Sequence, residues 1–171
     1  PAEPPPPAIR EVWPTPGRTR RPEITDPEMQ SALASGDGFL ITAEEVEAGE
    51  TDGRRWLRLE RNVTITRDEA TLVGDHGIYW ESAGLAVVHG NVHGEERGSR
   101  IACDTLKYLR YDDIAILTGR AAYADSSGVL TASRIEIHRA EDLAVARGNA
   151  RALDEESGSD LTAGLIIYDF A

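Results

Sequence analysis

Two histidines in the stretch "VVHGNVHG", His89 and His93, stand four residues apart, the spacing with which a helix presents two imidazoles to one metal ion. Gly90, Gly94 and the valines around them favour a strand instead. On a strand the two α-carbons lie roughly 13 Å apart, too far for both rings to reach a zinc ion at about 2.1 Å. Asp75 and Asp104 recur at equivalent positions and raise the question of paired carboxylates for acid–base chemistry. Equivalent positions further along hold Ser133 and Gly164, and all four residue types suit a bulge or turn. Cys103 sits in an apolar alternation and reads as a small packed hydrophobe. No "GxSxG", "HExxH", P-loop or "GxGxxG" occurs. The expectation is a protein that is not an enzyme, with no catalytic residue, no metal site and no cofactor.

The elements that carry these residues repeat. "ERNV" from Glu60, "HGNV" from His89, "TGRA" from Thr118 and "RGNA" from Arg147 follow one another at intervals of 29 residues. A second element keeps the same beat: "TLVGDHGIY", "RIACDTLKY", "VLTASRIEI" and, two residues late, "DLTAGLIIY". "FLITAEEVEA", from Phe39 to Ala48, reads as an earlier copy. Polar clusters such as "RDEA", "ESAG", "EERG" and "DSSG" separate the runs, giving about nine strands. In the first run Leu57, Leu59, Val63 and Ile65 share a face, as do Ala86, Val88, Gly90 and Val92, with Arg58, Glu60 and Thr64 opposite. In the second run the apolar phase slips between Cys103 and Leu106, and again between Ala132 and Ile135. A β-bulge or corner at Asp75, Asp104, Ser133 and Gly164 restores one inner face.

Bent antiparallel hairpins with one apolar face imply two antiparallel sheets pressed together, built from 29-residue two-strand repeats and open along one axis, which the strict repetition favours over the alternative of a closed barrel. Small residues along one line, Gly90, Gly119 and Gly148 beside Ala121 and Ala150, oppose large ones such as Leu106 and Ile135. Two arrangements satisfy that pattern: large side chains fill the space over small ones and leave a dry core, or the small line leaves a groove.

All nine prolines fall between Pro1 and Pro27, so residues 1–25 read as an extended proline-rich linker. Asp26 as N-cap, Pro27 at the first helical position and Gly36 as stop predict one short helix over 26–36. The β domain then occupies 37–171. The chain carries 30 acidic against 18 basic residues, a net charge of −12, which argues against nucleic acid or an anionic membrane surface as the main partner. No apolar run is long enough to span a membrane as a helix. One cysteine permits no internal disulfide.

The segment "VVHGNVHGEERGSRIACDTLKYLRYDDIAILTGRAAY" resembles the recurring pattern of the OstA-like lipopolysaccharide-transport family, which comprises LptA, LptC and the periplasmic domain of LptD. The pattern is a "GNV" strand, a turn, "I-x-A/C-D-x-L-x-Y", a turn and another "G" strand; Arg61 and Arg120 depart from its "GN" pair. The likeness spans residues 39–171 and does not choose among the three members. It implies a twisted, half-open β-jelly-roll in the periplasm of a Gram-negative cell, whose interior carries the acyl chains of lipid A. Leu59, Val63, Val88, Val92, Leu106, Tyr108, Leu117, Ile135 and Ile137 fall on the face that would line it. The resemblance also implies partners: lipopolysaccharide, and other OstA-like proteins or a second copy, joined end to end. The last run, with Leu165, Ile166, Ile167 and Tyr168, is apolar and free of proline, which suits an edge that pairs with a partner strand. The competing cover for that edge is the chain's own Ala8 to Trp13. The proline-rich segment fits a tether to an inner-membrane anchor upstream of residue 1. The alternative in a different class is a structural or adhesive β-solenoid that binds protein alone and keeps a dry core.

Overall fold

Nearly every strand of the domain is interrupted near its middle, and that interruption creates the fold. A computed structural model describes residues 40–170; the linker expected over 1–25, the helix expected over 26–36 and the Ala8–Trp13 cover lie outside the described residues. Ten strands run in order: β1 (Leu40–Thr42), β2 (Glu45–Thr51), β3 (Arg54–Arg67), β4 (Ala70–Trp80), β5 (Leu85–Glu96), β6 (Ser99–Leu109), β7 (Ile114–Ala124), β8 (Gly128–His138), β9 (Leu143–Asp154) and β10 (Asp160–Asp169). One turn of 3-10 helix, Arg139–Glu141, separates β8 from β9. From β3 onward each strand pairs antiparallel with the next, and β1 and β2 share the outer edge of β3. The sheet is open, with no pairing between β10 and the first strands.

The strands from β3 to β10 are 10 to 14 residues long, well beyond the usual five or six, because each serves two layers. Arg61 with Asn62, Gly90 with Asn91, Gly119 with Arg120 and Gly148 with Asn149 take positive φ, from 46° to 81°. Each pair stands where the register to the following strand slips: Glu60 pairs with His76 and Val63 with Gly74, and His89 pairs with Thr105 and Val92 with Cys103. Two residues thus oppose one, namely Asp75, Asp104, Ser133 or Gly164, which are the positions where the sequence required a corner. Two successive left-handed residues turn the strand sharply, and repetition in register aligns the turns into one crease. One continuous sheet therefore folds into two layers.

Left-handed backbone costs about 1–2 kcal/mol at a residue with a side chain, and the side chains at the crease offset that strain. Asn91 Nδ2 donates to Asp75 Oδ2 at 2.9 Å, and Arg120 donates to Asp104 through Nη2 at 2.6 Å and Nε at 3.1 Å. Arg61 pairs with Glu44 and Glu45, and Asn62 donates to Glu44. The departures at Arg61 and Arg120 thus occupy the same conformation as the "GN" copies and hold it with acidic partners. One expectation is corrected here. Gly90, Gly119 and Gly148 do not form a line of small residues on the inner face; they sit in the crease, where a Cβ on Gly90 would lie 2.6 Å from Asp75 Oδ2 and one on Gly119 2.5 Å from Asp104 Oδ2.

The crease also brings the apolar positions of both halves to one interior. On one layer Leu59, Val88, Leu117 and Ile135 stand beside it; on the other Val63, Val92 and Ala121 face them, all 0–2% exposed. Gly90→Ala should destabilise the fold by about 2–3 kcal/mol, strain plus collision. Gly98→Ala, at φ +85° but with nothing within 4 Å, should lose about 1 kcal/mol. Urea denaturation of both variants measures the difference, and equal losses would show that the crease tolerates a side chain.

Candidate functional site

Beside the crease the two layers touch; further out they diverge. The space between them is a partly open cavity of about 500 Å³, within the range typical of small-molecule sites. Ile65, Leu72 and Ile101 form one wall, and Tyr79, Tyr108 and Ile137 the other. Strand pairing explains the second wall: Tyr79, Ala86, Tyr108, Ala115 and Ile137 are successive partners across β4 to β8, alternating large with small. The missing volume opposite Ala86 and Ala115 is part of the cavity, which both residues line.

The structure divides the interior residues named from the sequence into two groups. Leu106, Tyr108 and Ile137 line the cavity. Leu59, Val63, Val88, Val92, Leu117 and Ile135 lie at the crease, packed and nearly inaccessible. Ile41, Leu72, Tyr79, Tyr123 and Phe170 on the wall were missed. Their signal was present for Leu72 and Tyr79, which hold the same places in their copy as Ile101 and Tyr108 do in the next.

The mouth of the cavity is polar and bridged. Arg139, just after β8 on one lip, reaches Glu96 at the end of β5 on the other, with Nη2 to Oε1 at 2.5 Å. It also approaches Asp113 at 3.5 Å, and Asp113 accepts from the Tyr108 hydroxyl at 2.8 Å. Burial and the neighbouring Asp113 carboxylate raise the Tyr108 hydroxyl above the ordinary tyrosine range, so it stays a donor at neutral pH. A second bridge lies at the C-terminal end, where Tyr168 donates to Asp125 at 3.3 Å and Phe170 packs on Tyr123 with ring centres 5.5 Å apart. Burial pushes the Tyr123 hydroxyl up to about 12. The Arg139–Glu96 pair is one-third exposed on both sides, and such a pair contributes at most about 1 kcal/mol. Little energy opens that ion pair.

The other residues singled out for chemistry lie away from the cavity wall. Burial pushes the Cys103 thiol up to about 12, which leaves negligible thiolate at neutral pH. Asp75 and Asp104 serve the crease. His89 and His93 lie on either side of the crease, and His93 Nδ1 is 3.1 Å from its own strand's Asn91 carbonyl oxygen. Among the described residues no three His, Cys, Asp or Glu side chains are placed to hold a metal ion. At the last strand, β10 pairs with β9 alone among the described residues. Leu165 and Ile167 are 46% and 63% exposed on its outer face, whereas Ile166 is buried and Tyr168 half-buried on the inner face.

Comparison of the sequence with known families and with curated proteins finds no match. Comparison of the fold does. The crystal structure of LptH from Pseudomonas aeruginosa, described as the LptA-homologous periplasmic component of the conserved lipopolysaccharide transport device, superposes with a TM-score of 0.55 at 14% identity. The chain has the fold of LptH. The match covers 97% of the LptH chain and 80% of this one, so the shared fold extends along nearly the whole length of LptH.

Crease and cavity should respond differently to truncation. Leu117→Ala or Ile135→Ala should cost about 2–5 kcal/mol, because a closed packing site cannot collapse around the void. Leu72→Ala, on a wall that already faces open space, should cost less than half as much. Chemical denaturation of the three variants checks the distinction; equal losses would mean that the cavity wall is packed core.

Proposed function

We propose that the chain is a periplasmic lipopolysaccharide-binding bridge, which holds lipid A acyl chains between its two layers and hands them along a series of like domains. The observation that carries this reading is the cavity of about 500 Å³ with apolar walls, between layers that a partly exposed ion pair and a tyrosine–aspartate hydrogen bond bridge at the mouth. A dry solenoid has no use for such a space, since interiors fill to close packing by default. Acyl chains fit its chemistry: they need apolar walls, a long open side and no directional partner. LptH, with the same fold, is a component of a lipopolysaccharide transport device, which supports the same cargo here.

In this reading Leu106, Tyr108 and Ile137 contact the acyl chains, while Leu59, Val63, Val88, Val92, Leu117 and Ile135 form the floor that keeps the layers joined. The edge of β10 that no described strand covers, with Leu165, Ile166, Ile167 and Tyr168, receives a strand from another OstA-like component or a second copy. Unprotected edges of this kind invite pairing, and the exposed Leu165 and Ile167 supply apolar area. The acidic chain, at −12, is consistent with a domain that takes its lipid from a neighbouring protein and does not adsorb to an anionic surface. A tether to the inner membrane ahead of residue 1 would hold it beside the source. No helix among the described residues is long and apolar enough to cross a membrane.

Photo-crosslinking amino acids test both halves of the proposal in Gram-negative cells. Probes at Tyr108 and Ile101 should capture lipopolysaccharide, probes at the outward Arg58 and Thr64 should not, and a probe at Ile167 should capture protein. Equal lipid capture at Tyr108 and Arg58 would reduce the binding to surface adhesion, and absence of capture at Tyr108 would refute the cargo.

A further inference from the structure

Three neighbouring strands place Glu60, His76 and His89 side by side on the outer surface, next to the crease, as successive register partners. The two imidazoles stack with ring centres 5.0 Å apart and planes 28° from parallel. His76 Nδ1 is hydrogen-bonded to the Glu60 carboxylate. An ionised carboxylate only accepts, so Nδ1 carries the proton and the lone pair of His76 lies on Nε2. That is the arrangement in which a carboxylate fixes the tautomer of a metal-bound histidine and raises its basicity. Two imidazoles that share a tetrahedral ion at about 2.1 Å bring their ring centres to roughly 5 Å, the separation already present. The two residues are direct register partners on β4 and β5, and His89 is exposed while His76 is partly so.

We propose that His76 and His89 form a two-nitrogen site for a borderline divalent transition-metal ion, with Glu60 orienting His76 and water completing the coordination. The ligand set favours copper(II) over zinc and nickel by the usual order of stability. An ion held there ties β4 to β5 beside the crease, so it binds the folded chain and stabilises it. The site lies on the outside of the sheet, away from the cavity, and stands independently of the lipid reading.

Titration of the full chain with copper(II) chloride, followed by calorimetry and by the nitrogen hyperfine pattern of the bound ion, tests the proposal. One ion per chain with two nitrogen ligands and a raised melting temperature is expected. His89→Ala should weaken binding at least tenfold and abolish the temperature shift; Glu60→Gln should weaken it about tenfold while keeping one ion and both nitrogens. The chain's other histidines, His93 and His138, provide the control, and His93→Ala should change nothing. All three substitutions lie on the outer surface, and circular dichroism verifies that they fold. Binding that survives His89→Ala unchanged, or that falls as much with His93→Ala, would overturn the site.

Discussion

Two consecutive left-handed residues, repeated at one level in four successive copies, are the constraint on which this molecule depends. A bulge in one strand bends one hairpin; the same bulge in register across β3, β5, β7 and β9 bends the entire sheet along a line. The residues at the line have few alternatives. Glycine and asparagine enter left-handed backbone at low cost, and where arginine replaces them, acidic partners compensate, Glu44 and Glu45 for Arg61 and Asp104 for Arg120. Acidic residues that resemble half of a catalytic pair are thereby explained as corner supports.

The folded sheet has a graded interior. Close to the crease the layers are in contact, and branched aliphatic side chains fill the space completely. Away from it the layers separate with distance from the hinge line, and side chains alternating in size no longer meet. An open cavity follows from that geometry without a dedicated pocket-forming loop. Its far side is held by contacts between residues 43 positions apart, Arg139 with Glu96 and Tyr168 with Asp125. These are weak compared with the crease. A structure that is rigid at its floor and loosely bridged at its mouth can admit a long apolar chain from the side, since opening the lips disturbs little of the core.

Much of this was legible in the residues. The 29-residue beat, the two runs per repeat and the slipped phase between Cys103 and Leu106 locate the strands and the corner. The conformation at the corner was not legible, because alternation assigns Gly90 to the inner face and only a left-handed backbone removes it from that face. Periodicity also fails where both faces are apolar. In "LAVV" Ala86 and Val88 point inward while Val87 lies in an outer row with Ile78 and Ile116, and a pattern of period two cannot be read from four apolar residues in succession. The residues of the cavity mouth carry no sequence signal at all; Arg139 and Glu96 are ordinary charged residues of two turns until the sheet folds.

The central claim is that the space between the layers is a lipid site and not an unfilled void. Native mass spectrometry of the chain purified from a Gram-negative envelope fraction tests it most directly. The account requires a population of wild-type chain carrying the mass of lipopolysaccharide, and loss of that population when Ala86→Trp or Ala115→Trp fills the cavity in a protein that remains folded. A wild-type chain that is bare in every preparation, or an adduct that persists after the cavity is filled, would contradict it.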